Sequence, residues 1–429
     1  MKKKYRIILY TSIFLLCVVA SIILVVKKSN SVYEEESKPK VVKHKSMLSM
    51  NLEQTAGSGD YKTVTQSSWP TEGYKFNAEL SKCENGSTLS WDDTKKAVIV
   101  SGNLSDKCYV YFDIYQPTLA EYIKSQYTGT QGENNIYYHD SDLANGAGDN
   151  SYRYAGANPN NFVCFGTTES PCPIDNLYRI IGVFGENYHG ANGKQLVKLI
   201  KYDYMTTDEL GTDGDYSQTY KEWGMDSTYK GTYGDGERIG VYYWNYKATG
   251  SATNTWSTSL LNKTNLNTNF INNIGTTWAN KIATVTWKVG GNTWANIGTK
   301  TSSVAYTNEI TNPVTTNTTD NATTYSAKIG LMYVSDYGFA ASPDAWTLTM
   351  SSYNNTTATN NNWMYMGLYE WTISRHADYS DGAFVVGGDG DVGGDIVNDD
   401  YGVRASFNLE SSVSYVSGSG SMSDPIVIN

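Results

Sequence analysis

The chain has 429 residues, of which 40% are hydrophobic and only 18% charged, with 35 tyrosines and 11 tryptophans. That aromatic content excludes a mainly disordered chain, which would lack the apolar surface needed to offset the entropy of ordering. The formal charge is −10, and six bases fall within the first 28 residues, so the other 27 bases face 43 acids. A surface so acidic repels phosphate backbones and argues against nucleic acid as a partner.

Residues 7–26 are an uncharged stretch of 20 residues, long enough for one helix to cross the roughly 30 Å core of a bilayer. Lys2, Lys3, Lys4 and Arg6 precede it, which keeps the N-terminus cytoplasmic and sends the remainder outside. A cleavable signal peptide would have a shorter apolar core and a small-x-small site. Val18-Val19-Ala20 is a poor site, and the apolar run continues beyond it to Val26. Residues 1–28 therefore read as a cytoplasmic tip and transmembrane signal anchor, and the protein as single-pass in the cell membrane with its C-terminal region extracellular. Cys17 lies in that span, leaving Cys83, Cys108, Cys164 and Cys172 outside. Four cysteines allow three pairings. The local one, Cys83–Cys108 with Cys164–Cys172, is favoured because each pair sits within one short segment. A metal site would want tighter Cys-x-x-Cys spacing or nearby histidine.

Residues 29–68 alternate basic and acidic runs with little apolar periodicity, the pattern of a flexible, solvated stalk. Residues 69–116 read as a small β-module. Its short strands begin at Tyr74, Thr88, Ala97 and Cys108, with Asn85-Gly86 and Asp92-Asp93 supplying turn chemistry. Residues 117–149 read as a helix and connector. Pro117 stands at the helix's first turn, and Leu119, Tyr122 and Ile123 share one face. Beyond Asn150, residues 177–184 and 195–202 make a hairpin. Between 256 and 282, Leu266, Phe270, Ile274, Trp278 and Ile282 recur every four residues, with Gly275 splitting the helix. Residues 284–289 alternate as a strand, and residues 330–340 read as a buried strand running into a turn.

The last hundred residues hold an ordered set of motifs. Gly367, Glu370, Trp371 and Thr372 form Gly-x-x-Glu-Trp-Thr, followed by a Gly/Asp-rich stretch and then Gly402-Val403-Arg404. Upstream stand Tyr178-Arg179-Ile180 and the Trp256, Ser257, Leu266, Asn267, Phe270 stretch. Their order resembles the superfamily of formylglycine-generating enzymes and C-type lectin-like domains, and in particular extracellular bacterial domains of that group. The resemblance covers residues 150–429. It implies an α+β chain with a C-type lectin-like (formylglycine-generating-enzyme-like) domain, preceded by the disulfide-bonded β-module and the transmembrane helix. Tyr178 replaces the usual Trp and Ala405 the usual Pro. The family's cysteine chemistry does not carry over, because no cysteine follows Cys172.

Four histidines, His44, His139, His189 and His376, give no convincing Ser-His-Asp array. No catalytic residue and no metal ligand is assigned. Residues 389–400 partly imitate a calcium loop, with Asp389, Asp391, Asp395 and Asp400 as oxygen donors. Two strands with polar tips is the stronger reading, so no cofactor is expected and calcium is kept as the alternative. Residues 380–401 also fit an irregular acidic excursion that the resemblance would display as the ligand-facing surface. The candidate ligand-binding residues are His376, Tyr379, Asp381, Asp389, Asp391, Asp395, Asp399 and Tyr401. Trp371 and a Glu370–Arg404 pair are read as structural. The expectation is a non-enzymatic bacterial cell-surface protein, an adhesin or lectin-like receptor for a glycan or protein ligand. An extracellular carboxylate-dependent hydrolase and a structural surface-layer component are the alternatives.

Overall fold

The computed structural model describes residues 48–65, 67–70, 73–103, 105–185, 193–219, 229–233, 239–313 and 323–429. The expected span at 7–26, the first part of the expected stalk, His44 and His189 lie outside the described residues. Among the described residues no helix is long and apolar enough to cross a membrane. The chain is mixed α+β, mostly sheet with few helices, and divides into two units, Met1–Tyr115 and Gln116–Asn429.

In the first unit the strands are β1 (Leu48–Glu53), β2 (Tyr61–Val64), β3 (Tyr74–Cys83), β4 (Thr88–Asp92), β5 (Ala97–Ser101) and β6 (Cys108–Ile114). One sheet has the order β2-β1-β6-β3, and β4 pairs with β5 in a separate hairpin. β1 and β2 fall where the sequence reads as stalk, so that reading is corrected. β1 runs parallel to β6, with Leu48 opposite Cys108, and a parallel partner this distant leaves no local turn signal. Met50 and Leu52 of β1 pack with Val110 and Phe112 of β6 as the buried core. Trp91 and Phe76 stand edge-on to Phe112 at 5.5 and 5.9 Å. The Cys83–Cys108 disulfide joins β3 to β6 where their pairing ends.

The second unit opens with a helix, Leu119–Ser125, whose first turn is closed by a reciprocal Thr118–Glu121 capping box. Its strands begin with β7 (Ile136–His139), β8 (Ser151–Tyr154), β9 (Phe162–Cys164), β10 (Leu177–Phe184) and β11 (Leu196–Lys201). Next come β12 (Tyr216–Thr219), β13 (Gly240–Tyr243), β14 (Val285–Lys288), β15 (Gly291–Asn292), β16 (Thr324–Ala327) and β17 (Ile329–Gly330). The C-terminal strands are β18 (Glu370–His376), β19 (Gly382–Val386), β20 (Val392–Ile396), β21 (Asp400–Tyr401), β22 (Ser406–Asn408), β23 (Tyr415–Ser417) and β24 (Val427–Ile428). A central sheet has the order β17-β22-β11-β10-β8-β7, with β9 also paired to β10. β10 and β11 are buried along their whole length and pair as a hairpin. The closing segment joins this sheet through Leu199 opposite Phe407 and Lys201 N–H donating to Ala405 O at 3.0 Å. Cys164 and Cys172 are disulfide-bonded.

A second sheet, β15-β18-β19-β20, separates two apolar clusters. Trp371, Ile373, Ala383 and Val385 face one, and Phe384, Val386 and Val392 face the other. The 256–282 region is helical as Leu261–Phe270, Ile271–Asn273 and Gly275–Ala279. Gly275 divides it at φ +76°, a backbone state that other residues enter only with strain. Residues 330–340 depart from expectation. Only Ile329–Gly330 is extended, and Val334–Ala340 is a helix buried on every side. Its first two N–H groups donate to the Glu309 carboxylate at 3.0 and 2.9 Å. Asp336 also accepts locally from Tyr333 N–H at 2.9 Å, but the Glu309 cap comes from far along the chain and leaves no local signal.

Candidate functional site

The turn between β18 and β19 holds the first group of candidate residues. His376 ends β18 and is 5% exposed, while Tyr379, three residues on, is 62% exposed. The turn is fixed from below by Asn254, which is fully buried. Its Nδ2 lies 2.7 Å from His376 O, 2.8 Å from Tyr379 O and 2.7 Å from Gly382 O, and its N–H donates to Ser380 O at 2.7 Å. Asp381 O accepts from Val397 N at 2.8 Å, closing the turn against the strand return.

His376 lies face to face with Phe384, centroids 4.0 Å apart and planes 13° from parallel. Its Nδ1 is 3.4 Å from Asp378 Oδ1. Its Nε2 is buried without a hydrogen-bond partner among the described residues and faces the backbone of Gly394. Burial pulls the imidazole below its ordinary pKa, with Asp378 opposing the shift, so the ring is neutral at pH 7. The parallel pairing of Gly291 with Arg375 and Asn292 with His376 delivers the next turn, Trp294–Asn296, to this place. The Trp294 ring lies flat on Gly298, where even a Cβ would come within 2.4 Å of it, and runs parallel to Phe384. Together Trp294, Ala295, His376, Asp378, Tyr379 and Gly394 line an open depression of about 520 Å³.

The remaining candidates do not join that depression. Residues 380–401, read as an irregular excursion, are largely the β19–β20 hairpin, with Gly382 opposite Ile396 and Val386 opposite Val392. Gly382–Val386 are buried throughout, so the expectation of a displayed, irregular segment is corrected. Alternation across a strand sends neighbours to opposite faces. Gly394 faces His376, whereas Asp395 accepts from Tyr401 Oη at 2.5 Å on the other side. There Tyr401 packs on Trp371 at 4.9 Å and stacks with Tyr369 at 5.2 Å. Asp399 belongs to this second group, its carboxyl pushed up to about 6 by burial and then by Asp395 and Asp400. Asp389 and Asp391 form a third group at the hairpin tip. Burial and the Asp389 carboxylate raise Asp391 to about 6. The four paired steps along the hairpin put roughly 14 Å between its tip and the Tyr379 end. Residues 389–400 are thus strand and turn with no flanking helix. Among the described residues, no group of three or more His, Cys, Asp or Glu is placed to hold a metal ion.

Behind these groups, Arg404 donates through Nε and Nη2 to the two Glu370 oxygens, both at 2.8 Å, with both side chains buried. Burial opposes the Arg404 charge, but the Glu370 carboxylate outweighs it and holds the guanidinium above its usual pKa. Trp371 Nε1 donates to Tyr242 O at 2.8 Å. His139 is buried among Phe339 and Trp346, well below its ordinary pKa through burial. Sequence reasoning misses Asn254, Trp294 and Asp378. Trp294, just after Gly290-Gly291, carries a usable signal as an aromatic beside a turn. Asn254 carries none. Comparison of the chain with protein-family models, curated proteins and solved structures finds no match to any of them.

Proposed function

We propose that the chain is a bacterial cell-surface ligand-binding protein, an adhesin or lectin-like receptor, whose second unit takes a C-type lectin-like fold and binds a glycan or protein ligand without turning it over. The observation that carries this reading is the open depression between Trp294 and Tyr379, where the Trp294 ring packs on Gly298 and Asn254 ties the backbone at Tyr379. Rigid, amphipathic aromatics give contact area at low ordering cost. The apolar, uncharged residues 7–26 and the two disulfides support placement at the outer face of a membrane. The order of the Glu-Trp-Thr and Gly-Val-Arg segments, and their Glu370–Arg404 pair, support the fold assignment. The test is binding of the full chain to arrayed glycans and to purified extracellular proteins, with Tyr379→Ala alongside. Saturable binding that the variant loses is expected; binding unchanged in the variant overturns the placement of the site.

A carboxylate-dependent hydrolase is favoured by one observation, the raised carboxyl of Asp399 next to Asp395. Glycoside cleavage needs such a pair across a substrate bond. In that case Asp399→Asn would abolish turnover of a glycan by the full chain while leaving its binding in place.

A further inference from the structure

We propose that the depression bounded by Trp294, Asp378 and Tyr379 is a subsite for one uncharged pyranose ring of a glycan, with the ring's apolar face on an aromatic side chain and its hydroxyls donating to Asp378. This inference rests on the binding reading and narrows it to a ligand class. About 520 Å³ lies within the span of sites that hold small ligands, roughly 300–1,000 Å³. The open mouth suits one residue of a longer chain whose neighbours remain in solvent.

The chemistry of the lining limits what fits. The Asp378 carboxylate offers acceptors, so a ligand that brings donors fits, and a row of hydroxyls does so. Its Oδ1 is engaged with His376 Nδ1, and its Oδ2 makes no hydrogen bond to the described residues. With Nδ1 as the protonated nitrogen of a neutral imidazole, His376 fixes the carboxylate's orientation from behind and acts as a positioning residue. Among the described residues no lysine or arginine lines the depression, and the chain carries −10 overall. Sialic acids, uronic acids and phosphates are therefore disfavoured by desolvation and repulsion alike.

An ammonium ligand would also be attracted to Asp378 and the aromatic rings. Tight recognition of that group uses rings enclosing the cation on several sides, whereas this depression is open. Trp294 packs on Gly298 and runs parallel to Phe384 at 6.5 Å, so Tyr379, 62% exposed, is the more open of the two rings. Asn254 anchors the backbone at Tyr379 by binding its carbonyl. A fixed backbone there lowers the ordering cost of stacking a sugar face on the Tyr379 ring.

The full chain is presented to an array holding neutral oligosaccharides, acidic oligosaccharides, and choline and trimethyl-lysine conjugates. The affinity for a hit is then measured by calorimetry for the wild type, Tyr379→Ala, Tyr379→Phe, Asp378→Asn and Trp294→Ala, with Tyr246→Ala as an exposed aromatic elsewhere. Expected are hits among neutral glycans, weakened about tenfold or more by Tyr379→Ala and by Asp378→Asn. Tyr379→Phe should restore binding and Tyr246→Ala should leave it unchanged. Each variant is paired with a thermal melt, so a lost fold is told from a lost contact. Hits confined to acidic sugars or quaternary ammonium groups would overturn the sugar assignment while sparing the binding site. The sugar assignment also fails if a defined protein ligand depends on Tyr379 and no neutral glycan binds at millimolar concentration. Neutral-glycan binding indifferent to Tyr379 and Asp378 would overturn both the subsite and its placement.

Discussion

A Cβ at position 394 would stand 2.1 Å from Nε2 of His376, so the imidazole and the β20 backbone occupy their places only because residue 394 has no side chain. Gly394→Ala is expected to force His376 off the Phe384 ring and to cost about 1–3 kcal/mol by overpacking. In a His376→Ala background the same change should cost much less. A double-mutant cycle by chemical denaturation measures the difference. Equal costs in the two backgrounds would show that the contact does not govern the position.

Arg404 donates two hydrogen bonds to Glu370 in a site with no solvent exposure to speak of. Removing either partner alone, by Glu370→Gln or Arg404→Met, strands a charge or donor set in the interior and should cost about 3–5 kcal/mol. The double replacement Glu370→Met with Arg404→Met is expected to cost less than either single one. Urea unfolding of the three variants tests the ranking.

Asn254 ties three carbonyls of the turn carrying Tyr379. Asn254→Ala leaves those carbonyls without their buried donor, with an expected cost of about 2–4 kcal/mol. Amide hydrogen exchange should accelerate over residues 377–382 before other parts of the second unit respond. Unchanged protection there would mean that the backbone pairings alone hold the turn.

Asp391 and Asp399 are each held near 6 by burial and by a neighbouring carboxylate, above the roughly 3.9 of an unfolded Asp. Below about pH 4 each is protonated whether folded or unfolded. Between about 4 and 6 the folded chain alone keeps the proton, so stability falls as pH rises, and above 6 the cost of ionisation is complete. Asp391→Asn should raise the thermal midpoint by about 1–3 °C at pH 7.5, and the gain should disappear by pH 4. A gain that persists at pH 4 would point to a cause other than charge.

The Cys83–Cys108 bridge spans 25 residues of a unit whose buried core is four side chains. Closing such a loop is worth about 3–4 kcal/mol through the unfolded chain. Replacing both cysteines by serine should therefore unfold the first unit, seen as red-shifted Trp69 and Trp91 emission, while the thermal transition of the second unit stays in place.

What can be read from the chain follows the range of the interactions involved. The β10–β11 hairpin, the capped helix at Leu119, the Gly275 break and the local disulfides are set by neighbours in sequence, and their patterns are plain. The Glu370–Arg404 pair is legible because two ordered motifs flank it. Strand β1 and the helix at Val334 are not, since one is completed by β6 and the other by Glu309. The candidate site divides for the same reason. His376 and Tyr379 can be picked out from the sequence, but Trp294, which faces them across the depression, arrives through a parallel pairing of β15 with β18. The acidic residues that look clustered in sequence are dispersed by strand alternation to two faces and a tip. Buried ion pairs Arg153–Asp149 and Lys198–Asp336 are invisible because hydrophobic periodicity conceals a charge that is neutralised only in three dimensions.

Strand β19 is committed on both of its faces, to one apolar cluster through Ala383 and Val385 and to the other through Phe384 and Val386. Its partner β20 leaves Ile396 half exposed, and Asp389 and Asn398 face water. Inherited change along this hairpin is consequently filtered position by position, so that related chains would differ at scattered teeth of a comb while the back of the comb stays constant. A lineage seeking new ligands would find more freedom at Tyr379 and Asp378, on the rim of the depression, than anywhere inside the hairpin itself.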